Sequence, residues 1–317
     1  MLSQFFFSNP LALFLEGLHW LYWVVFLLFS VVMQQVWVRF LTKKSWFHRI
    51  YELSPDSHQQ KSQTPSLGGI MILLTMSIGL VGFSLFSFKV LWLMGLMLFF
   101  GIIGAMDDIL SVYLKRNKGL SVKQKSLAQV IGAFLFLLIY TQFFEPLSWW
   151  VMLFYVFIIV GSSNATNLTD GLDGLLTGLS FITATGFFLY FHYYGLTEFM
   201  KFSMVFMMAL FGFFMVNRHP ARLFMGDTGS LSIGAGFAGM AICLNLPWIL
   251  VSFGAVYILE TLSVILQVGY YKRTRKRIFK MAPLHHHFEL LGLSERKTVW
   301  LFWFIGLMFT VIGLVQW

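Results

Sequence analysis

Charge is what this sequence has least of: only 11% of its 317 residues are Asp, Glu, Lys or Arg, against about a quarter in a soluble domain. With 58% hydrophobic residues, 37 Phe and 11 Trp, that scarcity excludes a water-soluble globular chain and points to a polytopic membrane protein. Cysteine is nearly absent. Cys243 alone excludes an internal disulfide framework and multi-cysteine zinc sites, and it reads as an inert core residue. The N-terminus has no basic segment before its apolar residues, so no cleavable signal peptide is expected and the first span serves for insertion. No repeat, low-complexity tract or domain-sized polar insert is visible, so 1–317 is expected to form one membrane domain.

What the chain does have is apolar runs. A spanning helix needs about 20 mostly apolar residues, which predicts an all-α protein of about ten spans. They fall near 18–40, 67–88, 90–106, 126–144, 148–163, 174–194, 199–216, 229–245, 247–271 and 298–317, after an apolar lead-in over 1–17 on the outer face. All 22 basic residues except Lys89 and Lys201 fall in connections on one side. The positive-inside rule makes that side cytoplasmic and puts both termini outside. The net charge of +9 therefore reports topology, and nucleic acid is not expected as a partner.

Asp56, Asp107, Asp108, Asp170, Asp173 and Asp227 all lie on the cytoplasmic side, and Glu260 is the one carboxylate well inside a span. A transport conduit would string ionisable groups across the membrane and show repeat symmetry. Gathering them at one surface favours surface chemistry instead. The richest stretch is 161–178, where Asn164, Asn167, Thr169, Asp170 and Asp173 sit between two apolar runs with glycines at 171, 174 and 178. A carboxylate at a span end costs a few kcal/mol unless it is paired, hydrated or bound to a cation. Asn164 and Asn167 match the glycosylation pattern, but their cytoplasmic placement excludes that use.

Other motifs admit more than one reading. In 61–69, Pro65 and Ser66 suit a helix start whose free N–H groups can receive a phosphate, with Lys61 either beside it or snorkelling. Asp107 and Asp108 close the third span ahead of Lys115, Arg116, Lys118, Lys123 and Lys125, a topology signal or an anion site. In 224–230, Asp227 stands between glycines with Thr228 and Ser230 near, a capped turn or a set of hard oxygen ligands suited to Mg²⁺. His285, His286 and His287 are consecutive, and neighbouring side chains diverge too far to share one tetrahedral zinc.

Taken in order, KSQTPSLGG (61–69), MDD (106–108), NATNLTDGLDG (164–174), NRHPARLFMGDTGS (217–230) and MAPLHHHFE (281–289) resemble the polyprenyl-phosphate N-acetylhexosamine-1-phosphate transferase superfamily. The likeness covers nearly the whole chain. The histidine segment points to the branch that uses UDP-MurNAc-pentapeptide, with the GlcNAc-1-phosphate branch as the sister alternative. The resemblance implies a ten-helix, often homodimeric protein of the bacterial inner membrane. It also implies a cytoplasmic cleft and a tilted, broken ninth helix that opens a groove for membrane lipid. The implied reaction moves phospho-MurNAc-pentapeptide from its UDP carrier to undecaprenyl phosphate, giving lipid I and UMP with Mg²⁺ as cofactor.

By position, the resemblance makes Asp227 the magnesium ligand, and Asp107 and Asp108 the groups that deprotonate or position the lipid phosphate. Lys61, Asn167, Asp170, Gly171, Leu172, Asp173, Asn217 and Phe224 match substrate-binding positions, chiefly of the nucleoside pocket. His285 and His286 match positions near the sugar phosphate, with His285 also a catalytic candidate. Lys115 and Lys123 match basic positions beside the acidic pair. One departure stands out: the superfamily usually reads Asp-Asp-x-x-Lys, and the fifth position here is Ser111. Either Lys115 or Arg116 takes that lysine's place, or activity is expected to be lower.

Overall fold

The computed structural model describes residues 10–44, 46, 64–113 and 119–316, with 10–20 as backbone only. Its regular structure is helical: α1 (Pro10–Lys43), α2 (Gly68–Gly82), α3 (Phe88–Tyr113), α4 (Val122–Phe143), α5 (Trp149–Thr169), α6 (Leu175–Tyr193), α7 (Thr197–Asn217), α8 (Gly226–Cys243), α9 (Ile249–Phe253), α10 (Ala255–Thr274), α11 (Leu284–Leu290) and α12 (Glu295–Gln316). In hydrocarbon every backbone N–H and C=O must find a partner within the chain, which the helix supplies locally. Seven described helices are long and apolar enough to cross a membrane: α1, α3, α4, α5, α6, α7 and α12. The shorter α2 is apolar as well. Each of the expected spans is found as helix, with two adjustments. Helix α1 starts at Pro10, so part of the expected lead-in belongs to it. The run expected over 247–271 is interrupted at Gly254, which separates α9 from α10.

Helix α8 is the axis of the bundle. Every residue from Thr228 to Cys243 is buried, and α3 and α5 pack along it. Lipid tails are as apolar as leucine, so helices associate in a bilayer through close packing and interhelical hydrogen bonds rather than by escaping water. The segment 226–241, GDTGSLSIGAGFAGMA, supplies both. Its small residues admit the neighbouring backbones, and its carbonyls receive hydroxyls from α5: Ser163 Oγ donates to Leu231 O at 2.9 Å and Thr166 Oγ1 to Ser230 O at 2.8 Å. Outward faces carry exposed apolar side chains such as Leu28, Val32, Leu135, Trp300 and Phe304, as a lipid-facing surface requires.

Between α5, α8, α9 and α10 lies an apolar groove of about 340 Å³, lined by Phe157, Gly161, Ala165, Gly234, Phe237 and Trp248 among others. The break at Gly254 sits on its wall.

Candidate active site

The first turn of α8 collects three of the acidic motifs. Asp227 lies at its start, with Asn167 Nδ2 donating to Oδ1 at 2.7 Å and Lys125 Nζ paired to Oδ2. Asn167 also donates to Ser230 Oγ at 2.9 Å. Asp108 is buried and fully engaged. Its Oδ1 accepts from Asp227 N at 3.0 Å, and its Oδ2 accepts from Thr228 N at 3.0 Å and Thr228 Oγ1 at 2.7 Å. It thus caps the orphan N–H groups at the head of α8, where the helix dipole also favours a negative charge.

Asp107, on the same helix, is only half-buried. It accepts from Leu120 N at 2.8 Å and lies within hydrogen-bonding reach of the Asp227 carboxyl. Two carboxylates in contact repel unless a proton or cation lies between them. That pair, flanked by Lys125, is the electrostatic centre of the site.

Gly226 makes the turn possible. Its φ of +73° is a left-handed conformation, and a Cβ there would meet Asp108 Oδ2 at 2.5 Å and Ser66 Oγ at 2.9 Å. The described part of the 61–69 motif is tied to the same turn. Phe224 N donates to Pro65 O, Gly68 N to Phe224 O and Gly69 N to Met225 O, each at 2.9 Å. Phe224, half-buried, thereby holds the entry to α2 against the entry to α8.

A second polar group adjoins the first. Asp173 N donates to Glu295 Oε1 at 2.9 Å, and Ala221 N donates to Asp173 Oδ2 at 3.0 Å. His219 Nδ1 lies 3.2 Å from both Asp173 Oδ2 and Glu295 Oε2. Asn217 is buried: its Oδ1 accepts from Gly174 N at 3.2 Å and Thr177 Oγ1 at 2.7 Å, and its Nδ2 donates to Leu223 O at 3.0 Å. These bonds lash the 170–174 turn to the 217–226 connection. Asp170, in that turn, keeps some solvent exposure, yet desolvation pushes its carboxyl up to about 8, with the charges of Asp227, Asp108 and Asp173 adding to the shift. Leu172 is buried, and Gly171 packs directly against the ring of His285.

The three histidines diverge as their spacing requires. His285 faces Glu260, His286 Nδ1 lies 3.0 Å from Glu289 Oε2, and His287 Nδ1 accepts from Lys280 N at 3.1 Å. Segment 281–289 therefore reaches the 170–174 turn through His285.

Among the expected site residues, Asp107, Asp108, Asn167 and Asp227 meet around the head of α8. Asp173, Asn217, Gly171 and His285 meet beside the 170–174 turn. Lys61 and Lys115 lie outside the described residues. Lys123 is exposed and joins neither group. Lys125, which the basic loop did not distinguish from its neighbours, takes the place at Asp227. Helix α4 opens on a capping box, Gln124 N donating to Ser121 Oγ and Ser121 N to Gln124 Oε1. The box fixes where the helix begins, and packing decides which of its faces meets the site. Residues two apart in a helix point about 200° apart, so Lys123 and Lys125 cannot both face the site. His219 and Glu295 were also unmarked, since nothing local links them to Asp173.

An all-helical bundle with paired carboxylates and a lysine at one end of a buried helix, beside an apolar groove, belongs to the class of membrane proteins that gather polar chemistry at one end of the bundle. Residues 88–245 match the glycosyl transferase family 4. Over 311 residues the chain is 42% identical to the phospho-N-acetylmuramoyl-pentapeptide-transferase of Oceanobacillus iheyensis, covering 92% of this chain and 95% of that one. It is 40% identical to the enzyme of the same name from Geobacillus thermodenitrificans and 41% to that of Bacillus subtilis, in each case over 90% of this chain and 94% of the relative. The chain belongs to the phospho-N-acetylmuramoyl-pentapeptide-transferase family.

Proposed function

We propose that this chain transfers phospho-MurNAc-pentapeptide from UDP-MurNAc-pentapeptide to undecaprenyl phosphate, forming lipid I and UMP in peptidoglycan synthesis. The observation that carries the chemistry is the meeting of Asp107, Asp227 and Lys125 at the head of α8. The apolar groove lies against the same helix: Gly234, on its wall, is seven residues or roughly 10 Å from Asp227. A polyprenyl chain in that groove would bring its phosphate to the acidic pair.

Both substrates are anionic, so bringing them together in a poorly screened cleft requires positive charge. Lys125 supplies part of it. The residues also fit a Mg²⁺ ion. Asp227 and Asp107 offer hard oxygens in contact, both half-buried, which suits an ion that keeps waters and phosphate oxygens in its shell. Asp227 would hold it with Asp107 beside it, and the bound ion would neutralise charge on the diphosphate. Asn167 orients Asp227, and Asp108 holds the turn that presents it. Asp107, with one hydrogen bond from backbone, is the carboxylate placed to take a proton from the lipid phosphate. In the reading favoured here an oxygen of that phosphate bonds to the β-phosphorus as its bond to the UMP oxygen breaks. Positioning and charge neutralisation do most of the work in such a transfer. The 170–174 turn, with Asp173 and Asn217, would hold the nucleoside.

Release of UMP by purified protein supplied with both substrates tests this directly. It should disappear in Asp227→Ala and in excess EDTA, and return with added Mg²⁺. Full turnover in EDTA would remove the metal from the reading, and UMP release from UDP-GlcNAc would move the chain to the sister branch. Labelled phosphate trapped on Asp107 by rapid quench would replace direct attack with a two-step route. The finer architecture belongs to the same proposal: ten crossings, both termini outside and the site at the cytoplasmic face of the bacterial inner membrane. The sidedness of the basic residues supports it. Assembly as a homodimer rests on the family resemblance.

A further inference from the structure

Glu260 stands inside α10 with no exposed surface. A carboxylate at that depth is costly unless it is paired. Its partner is His285, itself fully buried. Glu260 Oε1 accepts the backbone N–H of His285 at 3.3 Å and lies 3.2 Å from His285 Nδ1. A carboxylate facing one ring nitrogen fixes the proton on that nitrogen, as in the carboxylate–histidine pairs that orient metal ligands and catalytic bases. In that tautomer the lone pair is on Nε2.

Nε2 is buried and has no hydrogen-bond partner among the described residues. It is turned onto Gly171, where an added Cβ would collide with it. Nδ1 of His286 faces Glu289 and Nδ1 of His287 accepts from the Lys280 N–H, whereas Nε2 of His285 is aimed at the 170–174 turn. A buried acceptor without a donor is unfavourable in the protein by itself; a substrate that brings a donor removes that penalty.

We infer that Glu260 is a positioning residue for the transfer: it holds His285 as the Nδ1–H tautomer and thereby presents Nε2 as a hydrogen-bond acceptor to a hydroxyl or P–OH group of the substrate bound at the 170–174 turn. The inference rests on the proposed function, in which that turn and His285 contact substrate. Glu260 touches no substrate and acts through the imidazole.

The test uses the full-length protein in detergent with both substrates. Glu260→Met removes the oxygen that faces both Nδ1 and the backbone N–H of His285 and leaves the tautomer free. UMP turnover should fall roughly 10- to 100-fold, and Glu260→Gln, whose amide oxygen can take the place of Oε1, should recover part of the loss. In the double variant Glu260→Met/His285→Asn turnover should equal that of His285→Asn alone, because a residue acting only through another adds nothing once that partner is gone. Wild-type turnover in Glu260→Met, or a double variant slowed by the product of the two single effects, would overturn the proposal. His285→Asn is measured alone as well, and full activity there would show that the reading of His285 had failed first. ¹⁵N-histidine spectra of the wild-type protein, with His285 assigned by difference from His285→Asn, read the tautomer without a Glu260 variant. A proton on Nε2, with or without one on Nδ1, would sink the idea.

Discussion

Asp107 and Asp108 are neighbours in sequence with opposite duties in the structure. Adjacent helical side chains point about 100° apart, so one turns into the packed head of α8 and the other toward the cleft. Asp108→Ala would leave two backbone N–H groups and a hydroxyl without their acceptor, each costing about 1–3 kcal/mol. Its thermal midpoint should fall together with its turnover. Asp107→Ala removes one bond to backbone at a half-buried position, so turnover should collapse while the midpoint changes little. Thermal shift and UMP release on the two variants check both statements; equal loss of stability would remove the distinction. Gly226→Ala should behave like the Asp108 variant. A left-handed φ costs alanine about 1–2 kcal/mol, and the new methyl also presses on Asp108 and Ser66. Its midpoint and turnover are measured against wild type by the same two assays.

At the scale of elements, the broken span and the groove belong together. The chain is interrupted at Gly254, and the walls on either side of the break, with α5 and α8, enclose apolar space. Gly161 lines this space, and a Cβ there meets nothing within 4 Å. Gly161→Leu should therefore fold normally while occupying the groove. If the polyprenyl chain binds there, KM for undecaprenyl phosphate should rise about tenfold or more, with KM for the UDP-sugar unchanged. Steady-state kinetics with each substrate varied in turn provides the check; unchanged lipid KM would place the lipid elsewhere. Helix α4 teaches a related lesson. The basic loop was visible as a cluster, but which lysine served the site depended on how α4 is rotated against its neighbours, and packing sets that rotation.

For the whole molecule, the charge distribution makes a statement that cysteine labelling can check. In a Cys243→Ser background, an impermeant maleimide added to intact cells should label Glu198→Cys and spare Lys276→Cys until the membrane is opened. Both positions are exposed, and the reverse pattern would invert the proposed topology. The all-helical architecture and the apolar spans were legible beforehand because hydropathy over some 20 residues is a local property, and a bilayer leaves the backbone few alternatives. The acidic motifs were legible for a similar reason: carboxylates next to apolar runs stand out wherever they fold.

Contacts between distant segments were another matter. The sequence by itself determined a membrane-embedded helical protein and most of the polar residues its chemistry uses, since cost in hydrocarbon marks such residues one at a time. Only the tertiary structure decided that Lys125 serves Asp227, that His219 and Glu295 brace Asp173, that Asp108 caps a helix more than a hundred residues away, and that Glu260 holds His285. Those pairings depend on how helices rotate and stack around the small residues of α8, and packing of that kind leaves no periodic trace along the chain.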